Sequence, residues 1–208
     1  MTRTEHSPLL AVATPAEVDR LAAWATTHAA KMTTDMTQGR PDRAGALVRY
    51  YDTLCRGVGL DTVLAVCQTW HETGLWSSWW FKAPRRNPAG IGVNGDVEPE
   101  PVAGQAWQHR PDGQWAKGRA YPSYATAAMA HVHGLALWAG ADPAAVGALT
   151  KRSIEAGVSP YAPPAIARGS CTEWAHLGQA HNPRHIGWAY KGERYGQAMA
   201  KLAEQILT

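Results

Sequence analysis

Apolar residues recur at helical spacing over most of the chain. After Thr14-Pro15-Ala16-Glu17, a capping box with proline at the first helical position, Val18, Leu21, Trp24 and His28 fall on one face. That pattern predicts a helix over about 14–30. The stretch Gly39-Arg40-Pro41-Asp42 breaks it, and Leu47, Tyr50, Tyr51 and Leu54 then mark the inward face of a second helix over about 43–56. Asp61 can cap a third, over about 61–73, whose apolar face is Leu64, Cys67 and Trp70 with Val63 and Val66 beside it. Gly74 supplies a left-handed stop.

The helical period disappears over residues 77–120, which are rich in Gly, Pro, Asn and Trp. Within that region Gln105 to His109 and Gln114 to Lys117 flank Arg110-Pro111-Asp112-Gly113, the pattern of a small hairpin, so a β lobe is expected over about 90–120. Helical spacing returns over about 123–139, 143–150, 172–180 and 193–207, with a Pro- and Gly-rich loop at 156–170. Residues 1–13 carry no period and are expected to form a flexible arm ahead of one domain, 14–208. The fold class is therefore mainly α (α+β), a helical domain with a small β-hairpin lobe.

Composition narrows the function classes. A chain of 208 residues suits one long domain burying about 70% of its unfolded surface. The net charge of +3 is mildly basic, but Lys and Arg are scattered, and the densest run is the pair Arg85-Arg86. No nucleic-acid partner is expected, because no basic stripe is visible. Three cysteines, Cys55, Cys67 and Cys171, cannot make a disulfide framework. The first residues lack the apolar core of a secretory signal, and no run is long enough to span a membrane. Cytoplasmic synthesis without membrane insertion is expected, and a monomer.

Chemistry concentrates in residues 70–80, Trp-His-Glu-Thr-Gly-Leu-Trp-Ser-Ser-Trp-Trp, which hold four of the ten tryptophans around one acid, Glu72. Glu72 falls in the last turn of the third helix, where the helix dipole favours positive charge. A carboxyl desolvated among indoles stays protonated toward neutral pH, as a general acid requires. A helix-end glutamate pointing to solvent fits the local sequence equally well. Trp76, Trp79 and Trp80 have the faces on which sugars stack, and they also have the bulk of core residues. Trp70, in phase with Leu64 and Cys67, belongs with the core.

The wider motif bears on that choice. Gln68, Glu72-Thr73-Gly74, Ser78 and then Asn87-Pro88-Ala89-Gly90-Ile91 resemble the signature of the bacterial and phage glucosaminidases. These are the lysozyme-superfamily peptidoglycan hydrolases of glycoside hydrolase family 73. Tyr121-Pro122-Ser123-Tyr124 stands where that family has an aromatic turn entering a helix, and Tyr195-Gly196 where it has a tyrosine associated with the active site. The resemblance spans about residues 45–207. It implies a lysozyme-like fold and endo-β-N-acetylglucosaminidase activity on the GlcNAc-MurNAc strands of peptidoglycan, with no cofactor. Glu72 would protonate the leaving oxygen and Tyr195 support it. Gln68, Trp76, Ser78, Trp79, Trp80, Asn87, Gly90, Ile91, Gln108 and Tyr124 would shape the glycan site.

One departure stands out. Many members of that family carry a second carboxylate in the first hairpin strand, where this chain has Gln108. An amide is neither base nor nucleophile. The second acid then comes from Asp96, Glu98 or Glu100, or the sugar's own N-acetyl group attacks, or the protein binds without cutting. A lytic transglycosylase, using one glutamic acid, is the rival enzyme. Cys171, His176, His181 and His185 are spaced within reach of zinc but match no standard pattern, so no metal is expected. No Gly-x-Ser-x-Gly or cysteine-protease signature surrounds a candidate nucleophile. Action on the wall would follow release or assembly into a phage-like particle.

Overall fold

The computed structural model describes residues 2–96, 105–109, 115–190 and 192–208. Among them are seven α-helices: α1 (Pro15–Thr27), α2 (Thr34–Thr37), α3 (Asp42–Val58), α4 (Thr62–Thr73), α5 (Tyr124–Ala139), α6 (Pro143–Glu155) and α7 (Tyr195–Leu207). Three strands, β1 (Asn94–Asp96), β2 (Gln105–His109) and β3 (Trp115–Arg119), form an antiparallel sheet in the order β1-β3-β2. The fold is mainly helical, with the small sheet between α4 and α5.

Local chemistry explains the helix ends. Thr14 and Glu17 form the reciprocal capping box at the start of α1. Asp61 accepts the Val63 amide at 2.9 Å to open α4, and Gly59, Gly74 and Gly140 end α3, α4 and α5 in the left-handed region. α1 and α3 approach so closely that a side chain at Gly45 would meet Thr26 Oγ1 at 2.7 Å.

α4 is the centre of the molecule. Every residue from Thr62 to Trp70 is buried, and α1, α3, α5 and α7 all pack against it. Its apolar residues fall on every side, as an enclosed helix requires, and its buried polar residues Thr62, Gln68 and Thr69 are hydrogen-bonded. A smaller cluster of Ala89, Ile91, Tyr121, Ala127, Ala130 and Val158 fastens the loop after α4 to α5.

Three expectations change. Residues 2–13, expected as part of a loose arm, are docked. Leu9 is fully buried, the Leu9 carbonyl accepts the Asp61 amide at 2.9 Å, and Arg3 sits between Asp61 (2.9 Å) and Glu17 (3.1 Å). The helix expected over 172–180 is only a 3-10 turn, Trp174–Leu177. Its backbone pairs outward instead, with Trp174 and Ala175 amides donating to Ser7 and Glu5 carbonyls at 3.0 and 2.7 Å. α6 runs on to Glu155, five residues past the expected 150, because nothing breaks it before Gly157. No helix among the described residues is long and apolar enough to cross a membrane.

Candidate functional site

The site is built at the carboxyl end of α4, where the chain makes an abrupt reversal. Gly74, Leu75 and Trp76 all adopt positive φ, 54°, 57° and 59°, a conformation that costs free energy at the two non-glycine positions. The Leu75 amide returns to the Trp70 carbonyl at 2.8 Å, and the Trp76 amide to Thr73 Oγ1 at 3.0 Å. This reversal folds Trp76 back under the helix. Its ring meets Trp70 edge-on and stacks on Phe81, and its indole N–H donates to Thr69 Oγ1 at 2.9 Å. Thr69 in turn donates to the Pro88 carbonyl at 2.6 Å, so the reversal and the loop at 87–91 are tied through one hydroxyl.

Glu72 lies in that last turn, partly buried. Tyr195, at the start of α7, donates its hydroxyl to Glu72 Oε1 and accepts from Gln68 Nε2 at 3.0 Å. Burial pushes the Glu72 carboxyl above its ordinary range, and the Tyr195 hydrogen bond pulls back toward the carboxylate. Oε2 faces Gly90, where a side chain would begin 3.6 Å away. Gly90 has φ +61°; it meets the turn's left-handed requirement and leaves room beside the acid.

The loop carrying Gly90 is clamped by Asn87. Its amide donates to the carbonyls of Ile91 (2.9 Å) and Arg119 (3.0 Å), while Oδ1 accepts the Ile91 amide at 2.8 Å and the Ala89 amide at 3.4 Å. All of its hydrogen-bonding capacity is spent on backbone. Trp188 adds a further tie, its indole donating to the Ala89 carbonyl at 3.1 Å.

The structure sorts the residues expected to meet a glycan. Gln68, Trp76, Asn87 and Ile91 are buried and reach a ligand only by positioning others; for Trp76 this decides for the core over the groove. Trp79, Trp80, Ser78 and Tyr124 are half-buried. The Arg85 guanidinium covers Trp79 at 3.6 Å, and Trp80 stands edge-on to Trp79 while packing over Gly118. Ser78 accepts the Phe81 amide at 3.3 Å. Tyr124 donates its hydroxyl to Asp35 and packs on Phe81.

Asp35 was not singled out from the sequence. It also accepts the Ala83 amide at 2.9 Å, joining α2 to the loop after the tryptophans, and no local motif signals a bond across 48 residues. Of the second-acid candidates, Asp96 lies in β1 opposite Trp115; the amide Gln108 lies in β2 opposite Ala116. Glu98 and Glu100 lie outside the described residues.

No group of three or more His, Cys, Asp or Glu capable of holding a metal occurs among the described residues. The spaced set that suggested zinc is engaged otherwise: Cys171 donates to the His176 carbonyl at 3.1 Å, and His181 bonds the Glu193 carbonyl at 2.7 Å. No family model, no curated protein and no solved structure matches this chain.

Proposed function

We propose that this chain is a peptidoglycan hydrolase of the lysozyme-like kind, an endo-β-N-acetylglucosaminidase with Glu72 as its general acid. One observation carries the reading. Glu72 is partly buried, which favours the protonated form, with Tyr195 on one oxygen and glycine beside the other. A group built this way can deliver a proton to a bulky leaving oxygen.

In the reaction, Glu72 protonates the glycosidic oxygen as the bond from that oxygen to the anomeric carbon breaks, and the bonding electrons leave with the oxygen. Positive charge on the sugar ring is met by a second carboxylate or by the oxygen of its N-acetyl group. Water then completes hydrolysis, returning a proton to Glu72. Trp79 and Trp80 are half-buried, and the part of each ring left open is indole on which a sugar can stack.

Mass spectrometry of purified peptidoglycan after digestion tests this. Wild type should release fragments with reducing N-acetylglucosamine ends, and Glu72→Gln should lose about 10²–10⁴-fold in rate. Anhydro-muramyl ends would make it a lytic transglycosylase. Wall binding without products from wild type would make it a glycan-binding module.

A further inference from the structure

Behind Glu72 lies a run of buried polar groups that the reaction itself does not use. Gln68 is fully buried on α4 and His131 fully buried on α5, and Gln68 Oε1 meets His131 Nε2 at 2.9 Å. His131 Nδ1 meets the hydroxyl of Tyr51, on α3, at 3.2 Å. With Gln68 Nε2 on Tyr195 and Tyr195 on Glu72, five side chains from four helices form one unbroken line.

With the Gln68 NH₂ toward Tyr195 and its carbonyl oxygen toward His131, the line runs in one direction. Tyr195 donates to the Glu72 carboxylate, so its oxygen must accept from the Gln68 NH₂. Gln68 then turns its carbonyl oxygen toward His131, which must present Nε2–H. His131 Nδ1 is left as a lone pair, and the Tyr51 O–H fills it. Burial keeps His131 neutral, which this arrangement requires. Each donor in such a line polarises the next.

We propose that Tyr51, His131 and Gln68 are positioning residues that fix the Tyr195 hydroxyl as a donor to Glu72 Oε1, so that the transferable proton of Glu72 resides on Oε2, beside Gly90. Their role rests on the reading of Glu72 as the acid, but the hydrogen-bond direction can be measured without any activity. The titratable groups along the line are Glu72, Tyr195, His131 and Tyr51. His71 stands edge-on to the Tyr195 ring, and Trp188 packs on His131.

Tyr51→Phe removes one oxygen three links from Glu72. The Tyr51 donor no longer favours a lone pair on His131 Nδ1, so the Nδ1–H tautomer, with its Nε2 lone pair toward Gln68, gains population against the Nε2–H bond to Gln68 Oε1. In that fraction Gln68 flips and offers its oxygen to Tyr195, which then donates to Gln68 rather than to Glu72. The protonated form of Glu72 gains, so its pKa rises.

The experiment is NMR on full-length protein. Nitrogen-15 shifts should show wild-type His131 as the neutral Nε2–H tautomer from pH 5 to 8. Side-chain carboxyl carbon-13 titration should place Glu72 higher in Tyr51→Phe than in wild type, in the direction of Tyr195→Phe and by less. A wild-type Nδ1–H tautomer, or identical Glu72 titrations in wild type and Tyr51→Phe, would overturn the proposal. If Tyr51→Phe does not fold, the wild-type tautomer decides alone. If peptidoglycan is cleaved, the alkaline limb of the rate profile should move up with the Glu72 titration. Absence of cleavage with the expected tautomer and shift would sink the hydrolase reading and leave the directed line standing.

Discussion

Replacing Trp76 by phenylalanine and by alanine separates a core tryptophan from a sugar-stacking one. The side chain is fully buried, with its ring between Trp70 and Phe81. Phenylalanine keeps a ring there but deletes the 2.9 Å donor to Thr69. That loss should cost about 1–2 kcal/mol, one neutral hydrogen bond with its acceptor left short. Alanine empties the space as well and should cost about 3–5 kcal/mol. For a 208-residue chain that is a fall of about 6–20 °C in melting temperature. Urea unfolding measures the stability, and sedimentation with purified wall measures binding at a temperature where both variants are folded. Because Thr69 still donates to Pro88, the Gly90 loop should survive in Trp76→Phe and wall binding should be unchanged. An alanine variant that loses under about 1 kcal/mol yet releases the wall would put the ring in the groove and refute the packing argument.

Two further substitutions test the charges. Burial raises the Glu72 carboxyl, so between its ordinary and its folded pKa the native state keeps a proton that the unfolded chain has lost. Stability therefore falls as pH rises through that window. Glu72→Gln should melt like wild type near pH 4 and above it at pH 7; a difference independent of pH would contradict the buried acid. Arg3 is 8% exposed beside the fully buried Asp61. Arg3→Ala should cost about 3–5 kcal/mol in denaturant unfolding at pH 7. Asp61 is already raised by burial and is held down partly by Arg3, so the loss should shrink as pH falls and that carboxyl protonates. A change under about 1 kcal/mol would mean that the first residues are not anchored.

The helices were legible where their signals are local. The cap at Asp61, the apolar phase of Leu64, Cys67 and Trp70, and the stop at Gly74 define α4 without reference to the rest of the chain. The docked first residues and the lost helix at 172–180 were not legible, because each depends on the other. Amides at 174 and 175 bond to carbonyls at 7 and 5, and periodicity carries no trace of a partner so far away. The crowding of tryptophan was visible as well, but not which side of the helix each ring takes. Positive φ at Leu75 and Trp76 decides that, at residues whose type gives no hint of it.

The motif residues Gln68, Asn87 and Ile91 were findable by pattern, yet their burial changes what the pattern means. They do not face a ligand. Asn87 holds the loop that puts a glycine beside Glu72, and Gln68 orients the hydroxyl that meets Glu72 on its other side. Among the described residues, what raises the acid is therefore its buried place rather than a charged neighbour. It sits at the end of an enclosed helix, where burial and the negative end of the helix dipole both oppose a carboxylate. Among the described residues, the Tyr195 hydroxyl favours the anion, through one hydrogen bond. Removing a single motif residue should consequently loosen the core and retune Glu72 together, because the same side chains do both. In this molecule core packing and proton affinity are not separable properties. Variants along the Gln68–Tyr195 line should therefore be read by titration as well as by rate.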